Sequence, residues 1–166
     1  MCIRDRAYVA LERRDDGRLH QVAFDRFNQQ DWNLQISRTA SNCGQYPYRN
    51  GCMDVTGLGD VVDAMLQNSR TSFVPINFST HKQALVNELS AALDNDELRL
   101  YDHPILRDEL RRFTYRIGST GNYQYSAPTG YHDDVVMALA LAVYASRKHK
   151  PTDPVARREL VRSVAF

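Results

Sequence analysis

The chain of 166 residues has few of the residues that would betray a specialised class. It has only three cysteines, Cys2, Cys43 and Cys52, an odd number at irregular spacing. That argues against a disulfide framework and fits a reducing compartment. Cys43 and Cys52 lack the second Cys/His pair that a zinc site needs. No stretch approaches the roughly 18 apolar residues of a membrane span, and no charged-then-apolar secretion signal opens the chain. A cytoplasmic protein is therefore expected. Charge of one sign is also missing: 21 basic and 20 acidic side chains leave a net +1. Any contact with nucleic acid must then come from a local patch rather than from a whole-molecule field. There is no internal repeat and no low-complexity tract. Neither a GK[ST] triplet nor the G-x-x-x-x-G spacing of a phosphate loop occurs, which excludes a Walker-type ATP site. What is present, 43% apolar and 25% charged residues, is the composition of a globular domain long enough to bury its own core.

Residues 7–14 and 19–27 read as strands joined by Asp15-Asp16-Gly17-Arg18, a hairpin turn. Residues 29–41 read as a helix capped by Asp31, 51–57 as a short apolar strand and 59–69 as a helix. A strand follows at 72–79, weakened by Pro75, then a long helix at 79–96 with Leu85, Leu89 and Leu93 on one stripe. A strand at 97–101 and a helix at 103–113, with Pro104 in its first turn, lead to a second hairpin around Thr120-Gly121. The last helix of the domain spans about 133–149. Pro151 and Pro154 then mark a linker, and the basic tail is expected as a peripheral helix. The expected fold class is α/β, a mixed sheet with helices on both faces, in one domain over residues 7–149. Residues 1–6 and the 150–166 tail stand outside that domain.

Two features depart from what a core alone requires. Val135 to Ala145 is almost wholly apolar, so the helix is buried on all sides, yet it starts with two adjacent acids, Asp133 and Asp134. A single acid would cap the helix, and each favours the helix dipole by about 0.3–1 kcal/mol. Two adjacent acids repel unless a cation or a proton relieves them, and His132 stands beside them. The second feature is Asp54, which interrupts the apolar strand Cys52-Met53-Asp54-Val55. A carboxylate there needs an arginine or a metal ion. Hard carboxylate oxygens suit Mg²⁺ or Mn²⁺. Two such ions about 3.5–4 Å apart activate a water and stabilise the leaving oxygen of a phosphodiester. Asp54, Asp133 and Asp134 are the candidate ligands.

Lys82 has two readings, a contact to DNA phosphate or metal-bound water and a solvated surface lysine. Arg107, Arg111, Arg112, Tyr115 and Arg116 form a basic stretch that reads equally as a phosphate track or a solvated face. Asp60 and Asp63 suit the first turn of a helix.

In order along the chain, "MDVTGLGDVV", "INFSTHKQALVNELSAAL", "LRDELRRFTYR" and "YSAPTGYHDDVVMALALA" resemble the C-terminal nuclease domain of phage terminase large subunits. The resemblance covers about residues 7–149, and its specificity lies in D-x-TG-x-GD and HDD-x-x-x-ALALA occurring together. It implies an RNase H-like fold and cleavage of double-stranded DNA by two Mg²⁺ or Mn²⁺ ions during virus genome packaging in the host cytoplasm. It makes Asp54 the second catalytic carboxylate and one or both of Asp133 and Asp134 the third. Apart from the resemblance, His132 and Lys82 are candidate supporting or DNA-contacting side chains. Terminase small subunit and portal protein are the partners it implies.

The family's first aspartate lies on an opening strand for which "MCIRDR" is too short. The expectation is a sheet lacking its first central strand, between the 7–27 hairpin and the Asp54 strand, and a weakly active fragment without the first acid; Asp5 is the alternative stand-in. The rival readings are a Holliday-junction-resolvase-like nuclease and a non-catalytic DNA-binding or packaging-assembly module of the same fold.

Overall fold

The computed structural model describes residues 6–27, 30–44, 50–56, 73–117, 123–126, 132–148 and 159–165. Among these the chain forms, in order, β1 (Arg6–Arg13), β2 (Leu19–Phe27), α1 (Trp32–Gly44), β3 (Asn50–Asp54), β4 (Val74–Ile76), α2 (Phe78–Asp94), β5 (Leu98–Arg99), α3 (Pro104–Arg112), β6 (Thr114–Ile117), β7 (Tyr123–Ser126), α4 (Asp134–Lys148) and β8 (Glu159–Ala165). The helix expected at 59–69, with Asp60 and Asp63, lies outside the described residues, as does Asp5.

Six strands form one mixed sheet in the order β4-β3-β8-β1-β2-β5, and β6 and β7 pair as a separate antiparallel ribbon. The β1–β2 hairpin turns at Gly17, whose φ of 76° is open to glycine at no steric cost. The turn is closed by Gly17 N–H donating to Arg14 O at 2.9 Å and Arg14 N–H to Arg18 O at 3.0 Å.

β1 is apolar at consecutive positions because both of its faces are covered. Ala7, Val9 and Leu11 enter the core shared with α2 and α4. Tyr8 and Ala10 point to the opposite face, with Phe27, Met53 and Cys43 of α1. Cys43 and Cys52 are buried, and neither is in a disulfide.

α4 runs across β1, β3 and β8 and packs against α2 and α3. Nine consecutive residues, Val135 to Val143, are buried. At about 100° per residue, Ala138, Leu139, Ala140, Leu141 and Ala142 spread around the helix, so apolar groups meet neighbours on every side. Each fully buried Val, Leu or Met contributes about 1.5–3 kcal/mol relative to exposure.

The stripe expected on α2 shifts. Leu85 and Leu89 are buried, but Leu93 is 43% exposed and Ala92 takes its place. Steps of four residues advance 400° around a helix of 3.6 residues per turn, so the third leucine drifts off the core face.

The tail also differs from expectation. Residues 159–165 form β8 rather than a peripheral helix, antiparallel to β1 and parallel to β3. Ser163 is in register with both Val9 and Cys52. The slot expected to be empty between the hairpin and the Asp54 strand is thus filled by β8. The physical reason is non-local: without a strand there, β1 and β3 would each bury an unpaired row of N–H and C=O groups.

Candidate metal centre

Asp54 ends β3, which lies inside the sheet between β4 and β8. It is 4% exposed. Its Oδ1 accepts from the Thr56 N–H at 2.9 Å and the Thr56 hydroxyl at 2.5 Å. Thr56 Oγ1 in turn accepts from the Phe78 N–H at 2.8 Å, tying the end of β3 to the first residue of α2. Burial pushes the Asp54 carboxyl above its ordinary range, opposed by the Thr56 bonds, the Phe78 N–H and the charge of Lys82. Among the described residues, the cation whose charge acts on this acid is Lys82 rather than an arginine.

Lys82 lies in the second turn of α2, and its Nζ donates to Asp133 Oδ2 at 3.0 Å. Its charge also acts on Asp54, so one cation couples to two acids 79 positions apart in the chain (133 − 54). Asp134 occupies the first turn of α4, and its Oδ2 lies 3.5 Å from His132 Nδ1. Arg6, 8% exposed, donates to Gln35 Oε1 at 2.8 Å. Burial lowers the Arg6 guanidinium to about 10, opposed by the charge of Asp134. Two protein cations thus stand within the electrostatic reach of the three acids.

The donors are hard oxygens around a position already charged for a cation, and in ligand type they fit a divalent ion such as Mg²⁺. Among the described residues, no three His, Cys, Asp or Glu side chains gather closely enough to hold an ion by themselves. Two carboxylates sharing Lys82, with Asp134 alongside, is the arrangement the fold provides.

Glu109 was missed by the sequence reading. It is 6% exposed on the inner face of α3, and its Oε2 accepts from the Val135 N–H at 2.9 Å and the Val136 N–H at 3.3 Å. Burial raises its carboxyl to about 7, opposed by those two N–H groups, reinforced by Asp134 and opposed by Arg26. A signal existed. Leu106, Glu109, Leu110 and Phe113 recur at helical spacing, so the acid interrupts an apolar stripe.

A cavity of about 320 Å³ opens beside Glu109, bounded by Arg26, Pro104, Ile105, Asp108, Arg112 and His132. It reaches His132 and is lined by none of Asp54, Asp133 and Asp134. The basic stretch on α3 is partly self-neutralised: Arg107 pairs with Asp102 at 2.7 Å and Arg112 with Asp108 at 2.8 Å, while Arg111 is exposed. The side chains of Tyr115 and Arg116 lie outside the described residues.

No protein-family model matches the chain. It is 28% identical over 123 residues to the terminase large subunit of Thermus virus P23-45 and, over the same length, to that of Thermus phage G20c. The match takes in 73% of this chain and 25% of either relative, so the chain spans about a quarter of the curated relatives it matches. Its structure is similar to that of the large terminase nuclease from thermophilic phage G20c with bound magnesium, with a TM-score of 0.69 and 27% identity over 75% of this chain and 67% of that one. The cobalt-bound form of that nuclease gives the same TM-score and identity, covering 75% of this chain and 68% of that one. The resemblance read in the sequence is borne out: the relatives are terminase large subunits, and the chain has the RNase H-like α/β fold of their nuclease domain.

Proposed function

We propose that this chain is a divalent-metal-dependent endonuclease domain of a phage or prophage terminase large subunit, cutting double-stranded DNA during genome packaging. The observation that carries this reading is that Lys82, ion-paired with Asp133 at the mouth of α4, also acts by its charge on the buried Asp54 at the end of β3. The likeness to a nuclease with bound magnesium supports it.

Asp54, Asp133 and Asp134 would hold two Mg²⁺ or Mn²⁺ ions. Such ions activate a water and stabilise the phosphodiester's leaving oxygen. The chain's own residues prepare the position. Thr56 fixes the Asp54 carboxylate by two hydrogen bonds, so little reorganisation is left for the reaction. Sheet and helix burial around Asp54 lowers the local dielectric and strengthens its attraction for a cation. Lys82 holds Asp133 and would meet a DNA phosphate, and His132, 58% exposed at its side chain, would contact the DNA backbone. Terminase small subunit and portal protein would be partners of the whole subunit, working in the host cytoplasm.

The test is nicking of supercoiled plasmid by the chain in Mg²⁺ or Mn²⁺, with Mn²⁺ binding followed by calorimetry. Metal-dependent nicking and binding should be abolished by Asp54→Ala, with the circular dichroism unchanged. Nicking that survives Asp54→Ala would overturn the assignment. The second reading, a DNA-binding packaging module without chemistry, is favoured by one observation, the absence of a three-donor cluster among the described residues. It predicts DNA retention on a gel with no metal-dependent cut at any concentration.

A further inference from the structure

A helix leaves its first four backbone N–H groups without partners inside the helix. The residue before the helix ordinarily supplies a side-chain oxygen to the second or third of these. Here that residue is Asp133, whose backbone oxygen already accepts the first helical bond, from Met137 N–H at 2.9 Å. The second and third N–H groups are those of Val135 and Val136. Both are taken by Glu109 Oε2, reaching across from α3. The Asp133 carboxylate instead meets Lys82 at 3.0 Å.

We propose that Glu109 is a positioning residue that caps α4 in place of Asp133, so that the Asp133 carboxylate is released toward Lys82 and the candidate metal centre. The consequence for metal binding rests on the nuclease reading above; the exchange of capping partners does not.

The logic is one of competition between two acceptors. Asp at this position is among the best of all caps, and a buried N–H left unpaired is costly. Without a rival acceptor, the Asp133 carboxylate would fold back onto Val135 and Val136 and be lost to any other partner. Glu109 removes that incentive, and it does so from a fixed base. Its helix is started by Pro104 and by His103 Nδ1 accepting from the Ile105 N–H at 3.3 Å. Leu106, one turn earlier, is buried in the core shared with α4. Oε2 makes both capping bonds, and Oε1 has no hydrogen-bond partner among the described residues. One acceptor oxygen is therefore enough for the task, and a glutamine at 109 retains one.

The test is a double-mutant cycle by urea unfolding of the metal-free chain, at positions 109 and 133. In the parent, Asp133→Ala removes no cap and should change the unfolding constant by no more than about threefold, the loss of a part-exposed ion pair. In Glu109→Ala, Asp133 becomes the cap, and adding Asp133→Ala should raise the unfolding constant about tenfold, as loss of a good cap does. Equal effects of Asp133→Ala in both backgrounds would overturn the proposal. Should Glu109→Ala fail to fold, Glu109→Gln decides. As stable as the parent or more so, it supports acceptor geometry as the role of residue 109; unfolding as readily as the alanine variant, it overturns it.

A second arm reads the consequence. Mn²⁺ binding should weaken about tenfold in Glu109→Ala and return to the parent value in Glu109→Gln. A parent chain that binds no Mn²⁺ would sink the nuclease reading and leave the unfolding cycle to judge Glu109 alone.

Discussion

Lys82 Nζ lies 3.0 Å from Asp133 Oδ2, joining the second turn of α2 to the residue that precedes α4 across 51 positions of chain. The same ammonium opposes the upward shift of the buried Asp54 carboxyl. One cation therefore serves acids from two separate elements, the task expected of a bound divalent ion.

If Lys82 competes with a metal for these acids, its removal should favour the metal. Lys82→Met should tighten Mn²⁺ binding severalfold in calorimetry. The stability cost should stay within about 1 kcal/mol, because the Lys82–Asp133 pair is part-exposed. Weaker Mn²⁺ binding in the variant would show that Lys82 orients Asp133 rather than competing for it.

Asp54 carries an ionised form that burial disfavours. Its folded-state carboxyl is raised, so the stabilising protonated form is lost as pH climbs through that raised value. Asp54→Asn removes the charge and keeps an oxygen able to accept from Thr56. At pH 8 it should melt at a higher temperature than the parent in calorimetry while binding no Mn²⁺. A lower melting temperature would mean that the ionised carboxylate is structurally required.

β8 is paired on both sides, so its backbone N–H groups are committed to the sheet. Ser163, in register with Val9 and with Cys52, is the position to probe. Ser163→Pro should destabilise the chain by about 1–3 kcal/mol, since proline removes a ladder donor and leaves its buried acceptor unpaired. Urea unfolding indistinguishable from the parent would place residues 159–165 outside the sheet.

Asp96, at a positive φ of 57°, accepts from Arg99 and Arg18 and so links the hairpin turn to β5. The Arg99 hydrogen bonds are the largest cause holding its carboxyl down to about 2. A depressed folded-state value contributes stability above the unfolded value of about 3.9, lost as pH falls toward 2. Asp96→Asn tolerates the same backbone region and should unfold with a shallower dependence on pH between 4 and 2. Parallel acid-unfolding curves for the two proteins would refute this linkage.

Periodicity and punctuation alone determined much of this protein. Gly17 between two extended runs specified the first hairpin, Pro104 the start of α3, and the unbroken apolar stretch after Asp134 a helix buried on all sides. These are local effects of backbone freedom and side-chain polarity, and they act wherever the chain goes. The oddity of Asp54 in an apolar strand and of two acids before α4 was equally legible, because burying charge is costly in any fold. Tertiary structure alone decided what relieves those charges. That Lys82 pairs with Asp133 and acts by its charge on Asp54, that Glu109 takes the capping bonds of α4, and that 159–165 enters the sheet between β1 and β3 all depend on partners from 26 to 158 positions away. No local pattern encodes such pairings: they are set by which open backbone edges and unpaired charges the folded core brings within reach of one another.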